Sequence, residues 1–393
     1  MRNETGVYAG VPEETNEKTA SCPPAFLEYS WYVLLAYAML GQAWGVVIPS
    51  LGGALLGLLA VVCFFTVGAQ ISQVYAPVAL AIATGVSMMA VQYFLHSEQS
   101  LYESIPFIGW LFTVVIVQAL SLRPRFLHRF AVAAFVIGLG VLPYMQGHDD
   151  SGLMRAAASG TGIANPNSLG MWFGFSVVYF AFYGLQSRTL LQRAVYWAGA
   201  LGSLYVVAIT VSRGPILAIF LACAVGLHSV LKRNFYPAVS LVLLIWLAYE
   251  SEIFNQLLDQ YFVRGTTETG RGKMLPLVLQ RIFDSPWTGV GLDAIRTPTP
   301  WHRRGMTPHN GLLYLWLGAG IIPLICFLGY LARAVRGSLQ MMRRIRTEEA
   351  AIVPALVTFA LIEIIILDTV FMSAWVVVAF ALATAKRASL PET

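Results

Sequence analysis

Charge is what this 393-residue chain has least of: 11% of its residues are Asp, Glu, Lys or Arg, against about 25% in an average soluble protein. So few charges cannot cover the surface of a soluble domain of this length. Cysteine is scarce as well. Cys22, Cys63, Cys223 and Cys326 are spaced as neither a zinc site nor a disulfide framework. The formal net charge of +5 is too small to point to nucleic acid. Gly289 and Gly291 stand without the rest of a nucleotide-binding fingerprint. No internal repeat or low-complexity tract is present. The apolar runs do not alternate with polar residues, which excludes a transmembrane barrel.

What the chain has instead is apolar length: 57% hydrophobic residues and a mean hydropathy of +0.67. A helix needs roughly 20 apolar residues to cross the hydrocarbon, and lipid offers no partners to open backbone groups. The expected fold is therefore all-α and polytopic, with about twelve transmembrane helices. These fall near 29–49, 51–69, 75–95, 105–122, 129–145, 168–186, 191–211, 213–231, 235–250, 309–333, 350–369 and 371–386. Residues 1–28 form a polar N-terminal tail, 29–250 hold spans one to nine, and 251–308 form a long helical loop. Residues 309–387 hold spans ten to twelve, and 388–393 form a C-terminal tail. Basic residues after even-numbered spans set the orientation: Arg123, Arg125 and Arg129; Arg188 and Arg193; Lys232 and Arg233; Arg333 to Arg346; Lys386 and Arg387. Both termini are then cytoplasmic and the 251–308 loop is external.

The cations that break this pattern are the informative ones. Arg155, Arg213, Arg264, Arg271, Lys273, Arg281, Arg296, Arg303 and Arg304 fall on the external side. Long loops translocate whatever their charge, so most of these read equally as solvated. Arg213 is different, because 210-TVSRGP-215 joins two spans with almost no linker. An arginine at that depth is costly unless it is paired or functional; snorkelling to headgroups is the plain alternative. Ser212 and Gly214 predict space around it. Gly270 and Gly272 likewise open space around Arg271. Guanidinium matches phosphate bidentately and stays charged, so an external diphosphate on a lipid is a fitting partner.

His309, in 307-TPHNGLLYLWLGAGIIP-323, is expected at the external start of span ten. There an imidazole is suited to take a proton, and the positive end of the helix dipole favours its neutral form. Asn310 either hydrogen-bonds a sugar or caps the helix. Asn165 and Asn167, in 160-GTGIANPNSLG-170, can contact ligand or form a turn and cap. Asp149 and Asp150 have no third ligand beside them and read as a solvated loop. Glu363 and Asp368 lie in or near span eleven.

The order of these motifs resembles the O-antigen ligase superfamily, which includes O-antigen ligases, polysaccharide polymerases and O-linked protein glycosyltransferases. The matching elements are 160-GTGIANPNSLG-170, 210-TVSRGPILA-218, 270-GRGKMLPLVL-279, 285-SPWTGVGL-292 and 308-PHNGLLYLWLGAGIIP-323. The resemblance implies a GT-C-like membrane glycosyltransferase of the bacterial inner membrane, acting on its periplasmic face without metal or cofactor. Its donor would be an undecaprenyl-diphosphate-linked glycan, and its acceptor lipid A-core, another lipid-linked glycan or a pilin. By motif, Arg213 and Arg271 would hold the diphosphate and His309 would serve the acceptor hydroxyl. Arg264 is an alternative to Arg271, and Arg296, Asn165, Asn167 and Asn310 are candidate substrate contacts. A secondary transporter is the competing class, though no paired halves are visible.

Overall fold

The computed structural model describes residues 23–46, 49–66, 71–150, 153–231, 271–299, 302–344, 349–366 and 374–385. Helices dominate. In chain order they are α1 (Ala25–Leu40), α2 (Pro49–Thr66), α3 (Ile71–Leu95), α4 (Glu98–Leu120), α5 (Phe126–Val141), α6 (Pro166–Gln186), α7 (Leu190–Ile209) and α8 (Arg213–Leu231). Then come α9 (Arg271–Asp284), α10 (Gly311–Ala319), α11 (Ile321–Arg344), α12 (Glu349–Ile366) and α13 (Ala374–Ala385). Two small antiparallel hairpins interrupt them: β1 (Met145–Asp150) with β2 (Leu153–Ala158), and β3 (Thr297–Thr299) with β4 (His302–Met306).

Among the described residues, five helical stretches are long and apolar enough to cross a membrane: Ala76–Leu95, Glu98–Leu120, Phe126–Tyr144, Pro166–Gln186 and Ile321–Arg343. Five shorter apolar helices accompany them. The protein is thus a helical, multi-pass membrane protein. The span expected at 235–250 lies outside the described residues. A helix hydrophobic all round belongs inside a bundle, and α6 is such a helix: Leu169 to Phe180 are buried without a break. It packs on α5, α7, α8 and α12. Phe175 stacks on Trp375 of α13 at 5.7 Å, and Trp375 in turn meets Phe359 of α12 at 4.8 Å.

The bundle has two chemically distinct ends. At one, Glu28 of α1 is 1% exposed and is held by Arg123, from the link between α4 and α5, and by Arg129, in the first turn of α5, each at 2.8 Å. Tyr32 donates to the same carboxylate at 2.6 Å, and Arg123 reaches the Pro23 carbonyl at 2.8 Å. Gln118 and Thr384, 266 residues apart in sequence, bond to each other at the C-terminal turns of α4 and α13. At the other end the α1 terminus meets the 160–170 loop, where Gly162 N donates to Met39 O at 2.8 Å. The Arg123 and Arg129 segment thus lies at the first end and the 160–170 segment at the second.

Three expectations need correction. The tail does not run to residue 28, because α1 starts at Ala25 and buries Leu27 and Glu28. Span ten is not continuous: Gly320, at φ +83°, separates α10 from α11. Beyond it α11 continues to Arg344, so Arg333, Arg336, Arg343 and Arg344 lie on the helix and not on a linker. The segments expected to be external also hold two β-hairpins, whose strands of three to six residues are too short for the apolar pattern to reveal.

Candidate functional site

The second end gathers the motif segments around a turn. Asn165 caps α6, its Oδ1 accepting from Asn167 N at 2.8 Å, and Pro166 occupies the first helical position, where a missing N–H costs nothing. Of the two readings of Asn165, contact or cap, the structure shows the cap. Asn167 faces the next motif: its Oδ1 accepts from Ser212 Oγ at 2.9 Å and from Arg155 Nη2 at 3.1 Å. Arg155, on β2, is 5% exposed. It also donates from Nε to Thr210 O at 3.1 Å and from Nη2 to Ser212 Oγ at 2.8 Å.

Between Thr210 and Ser212 sits Val211, at φ +47° with its side chain fully buried. A β-branched residue in the left-handed region is an outlier that costs on the order of 1–3 kcal/mol and persists only where its surroundings hold it. Immediately after this turn, Arg213 is the first residue of α8 and is exposed. The orphan N–H groups of a helix start and a guanidinium together favour an anion, and Pro215 falls in the first turn, where proline is tolerated. The space predicted around Arg213 is partly filled. A Cβ on Gly214 would meet Ile366 Cγ2 of α12 at 2.7 Å, and one on Gly170 would meet Pro215 Cγ at 2.8 Å. Ser212 is fully buried in the Arg155 network.

His309 stands two residues before α10 and not within it, at φ +49° and half-buried. Asn310 is the cap, its Oδ1 accepting from Leu312 N at 3.0 Å and Leu313 N at 3.1 Å. Both α8, which Arg213 opens, and α10, which His309 precedes, pack on α12. Arg271 opens α9, which packs on α10; Gly272 is helical and not the open loop residue expected. Arg264 lies outside the described residues.

Arg296 is exposed, and its carbonyl accepts from Arg281 Nη1 at 3.2 Å. Arg281 also donates to Ala294 O at 2.8 Å and Thr297 Oγ1 at 3.2 Å, so it braces the loop. Burial pushes the Arg281 pKa down, without discharging a guanidinium at any relevant pH. The loop itself is fastened to the turn between α3 and α4. Gln92, fully buried, donates to Gly318 O at 3.0 Å and accepts from Leu292 N at 3.1 Å. Ser97 donates to Asp293 Oδ2 at 2.7 Å, and this bond holds the Asp293 carboxyl below the usual range. Gly289 and Gly291, at φ +69° and +89°, permit this close passage; a Cβ on Gly289 would lie 2.6 Å from Leu317 O. Among the described residues no three His, Cys, Asp or Glu side chains gather as a metal site requires.

Residues 198–328 match the O-antigen ligase family. This matched segment, about a third of the chain, is similar to the O-antigen ligase superfamily. The segment matched to O-antigen ligases contains Arg213, Arg264, Arg271, Arg296, His309 and Asn310, while Arg155, Asn165 and Asn167 precede it. No curated protein matches the chain. Relative to this O-antigen ligase domain, sequence reasoning singled out Arg213 and passed over Arg155 and Gln92. Arg155 stood among nine external cations with no mark of burial, because the β-hairpin that carries it was not foreseen. Gln92 lies in an apolar helix far from every motif.

Proposed function

We propose that this protein is an O-antigen ligase, transferring an undecaprenyl-diphosphate-linked polysaccharide to lipid A-core on the periplasmic face of the inner membrane. One observation carries the reading. Within the family-matched segment, an exposed arginine begins a helix directly after a strained, buried turn, and His309 precedes a second helix that packs on the same neighbour. Strain held beside an exposed cation is the signature of a site that is paid for elsewhere in the fold.

In this reading Arg213, assisted by the helix start, binds the donor diphosphate and stabilises it as it leaves. Arg271 supplies a second cation from the start of α9, with Arg264 as the alternative. His309 accepts the proton of the acceptor hydroxyl, whose oxygen attacks the anomeric carbon from the face opposite the diphosphate. The new glycosidic bond forms as the anomeric C–O bond to phosphate breaks, so configuration inverts and undecaprenyl diphosphate is released. The donor bond supplies the free energy. Both termini are cytoplasmic and the fold is of the GT-C type in this reading.

The test is deletion of the gene and complementation with wild type, Arg213→Ala or His309→Ala, with lipopolysaccharide and lipid-linked glycan run side by side. The ligase predicts that the ladder above lipid A-core is lost and long undecaprenyl-linked chains accumulate, with each variant at least about 100-fold impaired though inserted. Core bearing a single repeat would identify a polymerase instead. An unchanged ladder would exclude both and direct the search to glycosylated pilin.

A further inference from the structure

We infer that Arg155 is a positioning residue that acts through Arg213. The inference rests on the reading of Arg213 as the diphosphate ligand. Arg155 lies outside the family-matched segment, on the β1–β2 hairpin, yet its guanidinium reaches three parts of the site. It bonds Thr210 O on one side of Val211 and Ser212 Oγ on the other, at 3.1 and 2.8 Å, and Asn167 Oδ1 at the start of α6 at 3.1 Å. Ser212 Oγ closes the triangle onto Asn167 Oδ1 at 2.9 Å. Val211, at φ +47°, sits inside this clamp.

The geometry explains why the residue is arginine. Spanning a carbonyl, a hydroxyl and an amide oxygen at fixed separations needs a planar fork of several N–H donors, which an ammonium on a flexible stem does not supply. With the clamp in place, the backbone leaves the turn in one direction and α8 begins with Arg213 turned outward. Without it, Val211 relaxes toward an ordinary backbone conformation, and both the first N–H groups of α8 and the Arg213 side chain are re-aimed. Arg155 is itself buried, so its part is to aim and not to touch the ligand.

The experiment is a double-mutant cycle on the full-length protein in nanodiscs, with binding of undecaprenyl diphosphate as readout and melting temperature measured for every variant. Arg155→Lys keeps the charge and loses the fork; Ser212→Ala is the milder second variant if the first fails to fold. Positioning predicts that Arg155→Lys weakens binding about tenfold and Ser212→Ala about threefold, and that neither has more than about a twofold effect once Arg213 is alanine. A purely structural role would lower affinity equally in both backgrounds, and that additivity, or wild-type affinity in Arg155→Lys, overturns the inference. If Arg213→Ala alone leaves binding unchanged, the reading of Arg213 itself falls, and the inference falls with it.

Discussion

A carboxylate that is 1% exposed in the first turn of an apolar helix, Glu28, is tolerated because two guanidiniums reach it. Removing one partner of a buried pair costs about 3–5 kcal/mol, and Arg129 is 30% exposed, which lowers the expected cost. Glu28→Ala is therefore expected to destabilise the protein by about 2–3 kcal/mol, seen as a lower melting temperature in detergent; an unchanged melt would deny the pair any structural role. Asp293 offers a pH dependence of opposite location. Its folded pKa is depressed, so the fastening to Ser97 contributes fully above the ordinary carboxylate range and is lost as pH falls through the folded value. Hydrogen exchange of residues 288–296 should be flat above about pH 5 and rise, after correction for intrinsic rates, below about pH 4. Asp293→Asn should remove that rise, and its persistence in the variant would assign it to another group. At this scale the sequence was a good guide to identity and a poor one to role. Asn165 and Asn310 proved to be caps, because their amide oxygens sit one or two residues before a helix and take its free N–H groups.

Elements were legible wherever apolar length was the signal. The expected 213–231 and 168–186 match α8 and α6 closely, since hydropathy reports helices that lipid or a protein core must surround. It fails where a helix breaks without losing hydrophobicity, as at Gly320. There the backbone is left-handed and a Cβ would collide with the Trp287 carbonyl, so no side chain fits. Gly320→Ala is expected to cost about 1–3 kcal/mol, by strain and overpacking together. The variant should separate α10 from the loop that crosses it, visible as faster cleavage by protease after residue 284 in intact membranes; wild-type resistance would mean that the loop is held elsewhere. The β-hairpins were missed for a different reason. Each is stabilised by its docking on the bundle and not by a pattern of its own.

Across the whole molecule, the 160–170 and 210–215 segments meet through Arg155 although Asn167 and Ser212 are 45 residues apart, and that meeting is what hydropathy alone could not show. The order of motifs carried the family, because each is a local device: a cap, a turn, a helix start. The clamp that links them is long-range, and Arg155 and Gln92 gave no local sign of it. At the opposite end, Glu28 poses a problem of timing. Its partners lie about 100 residues later in the chain, and at roughly 5–20 residues per second that is on the order of 5–20 s of synthesis. During that interval Glu28 has the Tyr32 hydroxyl of its own helix to bond it but no cation to neutralise it. Nascent chains arrested before Arg123 should accordingly be held or degraded by the quality-control machinery, while those arrested just beyond Arg129 escape it, which makes the link between α4 and α5 the checkpoint at which the first helix is allowed to stay.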